Sequence, residues 1–191
     1  MVINKKRVAI FISGKGSNAL NLMDFFKNHP IIQIHLIFST RENELVSNVC
    51  SDSKVDYHQI DHIQANWDKI ALEICDKNKI DLIVLAGFLK KVSPEIIRSY
   101  PNKIINIHPS LLPKFGGKGM YGNHVHLAVI QAKESISGIT IHYVNEEFDK
   151  GEIIAQFKVQ LDNDETAETL SVKIHALEMK FLPRVVENLL S

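Results

Sequence analysis

The sequence has few cysteines: in 191 residues only Cys50 and Cys75 occur, and they do not form a closely spaced pair. Zinc knuckles and redox-active dithiols need two cysteines at short spacing, so the sequence excludes both kinds of site. We expect the two side chains to be reduced and packed inside, as is usual in the cytoplasm.

The sequence also lacks an excess of charge of either sign, because 22 lysine and arginine residues balance 22 aspartate and glutamate residues. Sequence-independent binding to a nucleic-acid backbone requires a strong basic excess, so we expect no nucleic-acid partner. Long apolar runs are missing too, since none approaches the ~18 residues of a membrane span. The polar start, Met1 to Arg7, does not resemble a signal peptide. We therefore expect no membrane partner and a cytoplasmic location.

What is present is the composition of an ordinary globular protein, with 45% hydrophobic and 23% charged residues. A chain of 191 residues can bury roughly 70% of the surface that its unfolded form exposes, which is enough for one sizeable core. The sequence contains no linker, internal repeat or low-complexity segment. We expect residues 1–191 to form a single domain.

Short apolar runs alternate with segments of helical spacing along the chain. Val8 to Ile12 and Asp81 to Ala86 have the uniform apolar character of buried parallel strands. Further strands are predicted at 31–38, 56–60 and 104–108, and helices at 20–27, 43–53, 67–75, from 93 onward, at 125–133 and at 166–190, the last bent or broken near Pro183. This alternation predicts an α/β fold, a Rossmann-like, mostly parallel, twisted sheet with helices on both faces.

The C-terminal part departs from this alternation. Two extended runs, 138–144 and 152–159, are separated only by 145–151, which is too short for the helical crossover that parallel strands need. We therefore predict that the two runs pair as an antiparallel hairpin in the C-terminal part of the sheet.

A glycine-containing loop, Gly14-Lys15-Gly16-Ser17-Asn18, connects the first predicted strand to a helix. Backbone N–H groups and the helix dipole favour an anion such as phosphate at that position. The loop lacks the third glycine of a dinucleotide-binding motif, and Arg41 stands where an acidic residue would bind a ribose, which disfavours NAD but leaves an NADP-dependent reductase open. The alternative is a turn that serves only close packing of strand and helix.

Asn106 and His108 lie at the end of a predicted strand, where alternation places both side chains on one face. The carboxyl ends of parallel strands form the ligand crevice of open α/β sheets, so the pair indicates a site, although a lone histidine in a strand is more often structural. The long loop that follows, 109–123, is rich in proline and glycine. Loops of that length in compact domains are usually functional or disordered, which favours function here.

Three segments carry motifs: Asn106-Ile107-His108-Pro109-Ser110-Leu111-Leu112-Pro113, Gly138-Ile139-Thr140-Ile141-His142 and Phe148-Asp149-Lys150-Gly151. In order and spacing they resemble the signature segments of the folate-dependent formyltransferases. The resemblance implies that the chain transfers a formyl group from 10-formyltetrahydrofolate as co-substrate, without a metal. It further implies catalysis by Asn106, His108 and Asp149. The alternative for Asp149 is an ordinary hairpin turn, since Asp and Gly are favoured there.

The first loop is similar to that of family members whose acceptor is glycinamide ribonucleotide, an intermediate of purine biosynthesis. The resemblance implies that the phosphate and ribose of the acceptor bind to Gly14, Lys15, Gly16, Ser17, Asn18 and Glu178. It implies that folate binds to Phe88, Leu89, Lys90, Lys91, Val92, Asn106, Val144 and Glu146, with Thr140 and His142 in supporting positions. In this scheme the Asn106 amide and a protonated His108 stabilise the negative oxygen of the intermediate. Asp149 keeps the imidazole protonated and passes a proton.

Two other functions stay open: a hydrolase of the same family that passes the formyl group to water, and a non-enzymatic nucleotide-binding module that needs only the first loop. A metal site made of His124, His126 and His108 is disfavoured, because no carboxylate or cysteine at suitable spacing completes it. The sequence leaves open whether the protein is a monomer or a homodimer. It assigns no role to the segment from Gly116 to Gly122.

Overall fold

The computed structural model describes residues 5–60 and 66–191. The strands of these residues are β1 Lys6–Ile12, β2 Ile32–Ser39, β3 Asp56–Gln59, β4 Leu82–Leu85, β5 Ile104–His108, β6 Ile136–Tyr143 and β7 Ile153–Gln160. The helices are α1 Ser17–Phe26, α2 Glu44–Ser53, α3 Trp67–Lys77, α4 Pro94–Ser99, α5 Asn123–Gln131 and α6 Ala167–Leu190.

The strands form one sheet in the order β3-β2-β1-β4-β5-β6-β7. β1 to β5 are parallel, whereas β6 is antiparallel to β5 and β7 is antiparallel to β6. The predicted mostly parallel sheet and its C-terminal hairpin are therefore confirmed. The chain builds outward from β1 to β3 and then returns to β4 on the other side of β1. Open α/β sheets form their ligand crevice at such a reversal.

Two apolar cores cover the two faces of the sheet. One contains Leu22 of α1 and Leu182 of α6, and the other contains Ala71 of α3 and Ile96 of α4. Helices thus lie on both faces, as predicted. The two cysteines are free and buried, also as predicted, and burial raises the pKa of the Cys50 thiol to about 11 and that of the Cys75 thiol to about 12.

The last helix is not broken at Pro183, because α6 continues through this residue. A proline in a helix interior removes one backbone donor and usually destabilises the helix. Pro183 and the neighbouring Leu182 and Val186 are buried, so one side of this 24-residue helix packs into the protein. Tertiary packing of an apolar face outweighs the local preference of a single residue.

Candidate active site

A cavity of about 920 Å³ lies at the carboxyl ends of β1, β4 and β5, where the strand order reverses. Its walls are formed by 14–18, 85–92, 106–109 and 117–122, by His126 and His142, and by residues of the β6–β7 turn and of α6. Polar segments from the first loop, the end of β5 and the hairpin turn therefore meet in one place. The cavity is large enough for two small molecules to bind side by side, since ligand pockets typically measure roughly 300–1,000 Å³.

Asn106 and His108 both line this cavity at the end of β5. β6 runs antiparallel beside them, with His142 opposite Asn106 and Thr140 opposite His108. Directly opposed side chains of an antiparallel pair are neighbours on one face of the sheet. The structure therefore brings the two predicted supporting residues next to the predicted catalytic pair.

His142 orients the Asn106 amide. Its Nδ1 lies 2.8 Å from the carbonyl oxygen of Tyr143 and must carry the proton, because a carbonyl only accepts. The Nε2 atom of the neutral ring then accepts an N–H from Asn106 Nδ2 at 3.1 Å. Burial lowers the pKa of His142 and keeps the ring in this neutral form. The second N–H of the Asn106 amide is left for a ligand.

Asp149 reaches the same place from the turn between β6 and β7. Its φ of +56° is in the left-handed region, which Asp tolerates better than most residues, and its side chain is only 11% exposed. Oδ2 lies 3.5 Å from His108 Nδ1 and accepts a 2.8 Å hydrogen bond from the Gly117 N–H. Oδ1 lies 3.7 Å from His142 Nε2. An ordinary hairpin turn does not account for this inward orientation.

The charge of His108 is governed mainly by burial, which lowers its pKa, while Asp149 and a hydrogen bond to Phe115 act in the opposite direction. Nε2 donates to the Phe115 carbonyl at 2.8 Å, so the Nδ1 atom of the neutral ring turns its lone pair toward Asp149. Their separation of 3.5 Å exceeds the roughly 2.7–2.9 Å of a charge-assisted hydrogen bond. The resemblance implies a protonated imidazole, whereas in this structure desolvation outweighs the attraction of the carboxylate.

Thr140 fastens the loop that follows β5 to the hairpin. Its Oγ1 donates to the carbonyl of Ser110 at 2.6 Å and accepts from the N–H of Leu112 at 3.0 Å. Gln156 of β7 donates to the same Oγ1 and to the Leu112 carbonyl. A buried hydroxyl at position 140 therefore holds the backbone just beyond His108, which gives the predicted supporting role a physical basis.

Phe115 and Gly117 belong to the site although the sequence does not reveal them. The carbonyl of Phe115 accepts from His108, and the N–H of Gly117 donates to Asp149. A Cβ on Gly116, between them, would lie 2.4 Å from Leu112 Cδ2 and 3.2 Å from the Asp149 Cβ, so glycine permits the close approach. Backbone groups belong to every residue type, and the run of glycines is therefore the only sequence signal for these contacts.

The first loop lies at another wall of the cavity. Gly16 has a φ of +76°, and a Cβ there would lie 2.6 Å from Val46 Cγ2, so packing alone requires a glycine. The evidence for a ligand is separate: α1 has no side-chain cap at Gly16, which leaves its first N–H groups for an anion. Asn18 Nδ2 donates to Glu178 Oε2 at 3.0 Å and links the loop to α6. All six predicted phosphate and ribose residues line the cavity: Gly14, Lys15, Gly16, Ser17, Asn18 and Glu178.

Glu178 lies on the side of α6 that faces the first loop, in a partly desolvated position. Burial raises the pKa of its carboxyl group, and Asn18 and His175 oppose this shift. The Nδ1 atom of His175 lies 3.6 Å from Glu178 Oε2, and both side chains line the cavity. A carboxylate so placed can accept hydrogen bonds from the hydroxyl groups of a sugar.

The wall on the side of β4 is largely apolar. Phe88 packs edge-on against Phe11 with ring centroids 5.4 Å apart, while Leu89 is exposed. The Lys91 Nζ lies 5.8 Å from the centroid of the Phe148 ring. The predicted folate residues in the cavity wall are Phe88, Leu89, Lys90, Lys91, Val92, Asn106 and Val144.

Glu146 is the exception among the predicted folate residues, because it does not line the cavity. Its carboxylate lies 3.4 Å from Arg98 Nη1 on the exposed side of the hairpin turn. The adjacent Asn145 and Glu147 line the cavity instead. Glu146 points elsewhere because it lies in an irregular turn, where strand alternation no longer fixes the direction of a side chain.

The histidines near the loop do not form a metal site. His126 and His108 line the cavity, whereas the ring of His124 stacks on Tyr121 with centroids 5.3 Å apart. Within residues 5–60 and 66–191, no group of three or more His, Cys, Asp or Glu side chains is arranged to hold a metal ion. Over the same ranges, no helix is both long enough and apolar enough to cross a membrane.

The buried histidines make stability depend on pH. Burial is the largest cause that lowers the pKa of His108, His126 and His142 below the ordinary value of 6.5. Below about pH 6.5 the unfolded chain therefore binds more protons than the folded protein, and stability falls by up to about 1.4 kcal/mol per pH unit for each histidine that stays neutral. We expect the urea midpoint to fall between about pH 7.5 and about pH 5.5, less steeply in His126→Gln. A midpoint that is constant over this range would contradict the assignment.

The chain is similar in sequence and in structure to known proteins. Residues 6–186 match the family model described as formyl transferase. The chain is 35% identical to a chloroplastic phosphoribosylglycinamide formyltransferase of Vigna unguiculata, covering 99% of this chain and 62% of the relative. It is 32% identical to the phosphoribosylglycinamide formyltransferase of Bacillus subtilis (strain 168), covering 97% of this chain and 95% of the relative. The crystal structure of phosphoribosylglycinamide formyltransferase from Bacillus halodurans superimposes with a TM-score of 0.88 at 34% identity, covering 97% of this chain and 96% of that one.

The extent of these matches differs between relatives. The chain spans 62% and 64% of the length of two plant relatives, from Vigna unguiculata and Arabidopsis thaliana, which is less than two thirds in each case. It spans nearly the whole of the Bacillus subtilis relative. In each of these three cases the match covers nearly all of this chain, at 99%, 95% and 97%.

Proposed function

Because the chain belongs to the formyl transferase family, we propose that it transfers the formyl group of 10-formyltetrahydrofolate to the amine of N1-(5-phosphoribosyl)glycinamide, a step of de novo purine (IMP) biosynthesis. One observation carries the proposal: Asn106, His108 and Asp149 meet in the cavity that the anion-favouring first loop also lines. A catalytic trio beside a phosphate site matches a phosphorylated acceptor.

The acceptor fits the wall formed by the first loop and α6. Its phosphate would accept hydrogen bonds from the first N–H groups of α1, near the exposed Lys15. Its ribose hydroxyls would donate to Glu178, which Asn18 holds in place. Bound in this way, the glycinamide amine points toward the end of β5.

The folate fits the opposite wall. Its ring system would lie against the apolar surface of Phe88, Leu89 and Val92, while backbone groups of the turn between β6 and β7 bind its polar edge. Apolar walls with a few convergent polar groups are typical of sites for flat cofactors. The two reactants would thus approach Asn106 from different sides.

In the proposed reaction the neutral amine attacks the formyl carbon, and the former carbonyl oxygen becomes negative. The second N–H of Asn106 donates to that oxygen, and one such donor typically contributes about 3–4 kcal/mol to the transition state. The positively charged nitrogen releases its proton to the pair formed by His108 and Asp149, where an imidazolium beside a carboxylate is stabilised. The proton then passes to the departing folate nitrogen as its bond to the formyl carbon breaks.

A hydrolase of the same family is the second candidate, because the same trio could direct the formyl group to water. Such an enzyme has no phosphorylated acceptor to hold, and the uncapped N-terminus of α1 at the cavity wall would then have no use. A nucleotide-binding module would need the first loop but not Asn106, His108 and Asp149. The combination of both features therefore favours the transferase.

The test measures folate product by absorbance, with 10-formyltetrahydrofolate in the presence and absence of the ribonucleotide. We expect product only when the ribonucleotide is present, in equal amount to the formylated ribonucleotide detected by mass spectrometry. Product that forms equally fast without the acceptor would identify a hydrolase. Tight binding of the ribonucleotide with no folate product would identify a binding module.

Several expectations from the sequence stay predictions. We expect a single formyltransferase domain over residues 1–191 that acts on small-molecule substrates and has no nucleic-acid or membrane partner. We also expect that the protein needs no metal and that it is a monomer or a homodimer. The cytoplasmic location also stays a prediction, and two plant relatives are described as chloroplastic.

A further inference from the structure

His126 is a buried polar side chain that the reaction described above does not use. It lies near the start of α5, is only 6% exposed and lines the cavity. Among the residues that the structure describes, its Nδ1 atom has no hydrogen-bond partner. A neutral imidazole at a cavity wall whose enclosed nitrogen has no partner has its other ring nitrogen left for a ligand.

The surroundings of the ring decide which nitrogen carries its proton. A neutral imidazole has one N–H and one lone pair, and a buried N–H without an acceptor is the less favourable of the two. The proton of His126 therefore belongs on Nε2. Burial and the neighbouring His108 both lower the pKa of His126, so the ring is a neutral donor. Since Nδ1 is enclosed and the ring lines the cavity, Nε2 is the atom open to a ligand.

The position of α5 places this donor beside the acceptor wall. α5 packs against α6, the helix that carries Glu178, and His108 is close enough to His126 to help lower the pKa of the His126 ring. His126 thus lines the same cavity as Glu178 of the proposed ribose site and His108 of the proposed reacting centre. In the proposed acceptor, an amide group joins the ribose to the methylene carbon that carries the amine.

We propose that His126 donates a hydrogen bond from Nε2 to the amide carbonyl oxygen of the acceptor and thereby aims its amine at the formyl carbon. The inference rests on the proposed function. A single neutral donor suits a carbonyl oxygen. The phosphate lies at the far end of the acceptor, where the N–H groups of α1 and Lys15 would bind it. His126 is then a binding residue that fixes the direction of attack.

Three substitutions test the position of the donor. His126→Leu fills the space without a donor, His126→Gln places an amide nitrogen near the position of Nε2, and His126→Asn places it near that of Nδ1. We expect His126→Leu to raise the KM for the ribonucleotide about tenfold, the effect of one lost hydrogen bond, and to leave the KM for formyl folate unchanged. His126→Gln should restore most of the affinity, and His126→Asn should not.

Two further measurements exclude a merely structural role. His126→Leu should raise the urea midpoint or leave it unchanged, because it removes an unpartnered buried atom, whereas loss of a structural histidine would lower it. An acceptor analogue with a methylene in place of the amide carbonyl should bind to wild type and His126→Leu with equal affinity in calorimetry. An unchanged KM for the ribonucleotide in His126→Leu, or a lower urea midpoint without rescue by His126→Gln, would overturn the inference while the proposed function stands. A wild-type enzyme that transfers no formyl group to the ribonucleotide would overturn both.

Discussion

Asp149→Asn is expected to lower kcat by about 10²–10⁴-fold, the usual range for a positioned acid–base group. The asparagine has nearly the same shape, and its Oδ1 can still accept the N–H of Gly117 that the carboxylate accepts at 2.8 Å. It has no negative charge to stabilise an imidazolium on His108, and it cannot take up a proton. Steady-state kinetics with both substrates measures the loss.

Asp164→Asn is the matched control, because Asp164 is exposed in the connection between β7 and α6. The same chemical change there should leave kcat and KM at their wild-type values. The urea midpoints of both variants should stay close to that of the wild type, which separates lost chemistry from lost folding. Wild-type turnover in Asp149→Asn would rule out a part for the carboxylate in proton transfer.

Asn106→Ala is expected to lower kcat by about 10²–10³-fold, with little change in KM for either substrate. The amide donates one N–H to His142 and keeps the other for the oxygen that becomes negative. An interaction made mainly in the transition state affects kcat, whereas one made equally in the bound substrate affects KM. The comparison of kcat and KM therefore measures when the hydrogen bond forms.

Asn106→Asp sharpens this experiment, because it keeps the size of the side chain and removes its N–H groups. We expect a loss at least as large as in Asn106→Ala, since a carboxylate would repel the negative oxygen. Asn163→Ala, at an exposed position before α6, should retain full activity. If Asn106→Ala instead raised KM and kept kcat, the amide would be a substrate-binding group and not a transition-state donor.

The regular part of the fold could be predicted because its signals are local. Uniform apolar runs such as Val8 to Ile12 mark β1 and β4, and the short connection 145–151 requires the hairpin. Strand alternation also places Asn106 and His108 together before any tertiary contact is known. The meeting of Asp149 with His108 came only from the resemblance, because turn preferences alone favour the same residue at that position.

The remaining features depend on tertiary contacts. The carbonyl of Phe115 and the N–H of Gly117 act through the backbone, which the residue type does not specify. The continuation of α6 through Pro183 depends on packing that outweighs local preference. Burial within the completed cavity lowers the pKa of His108, and this desolvation cannot be seen in the sequence. Site chemistry of this kind needs the assembled structure.

The loop beyond β5 also determines where the chain can change in length. It is fastened at Ser110 by Thr140, at Phe115 by His108 and at Gly117 by Asp149. An insertion or deletion before Gly117 would shift a backbone group that is hydrogen-bonded to His108 or Asp149, whereas one within 118–122 falls after the last of these contacts. Variation in loop length should therefore be confined to 118–122, where it can reshape the edge of the cavity without moving the backbone contacts of His108 and Asp149.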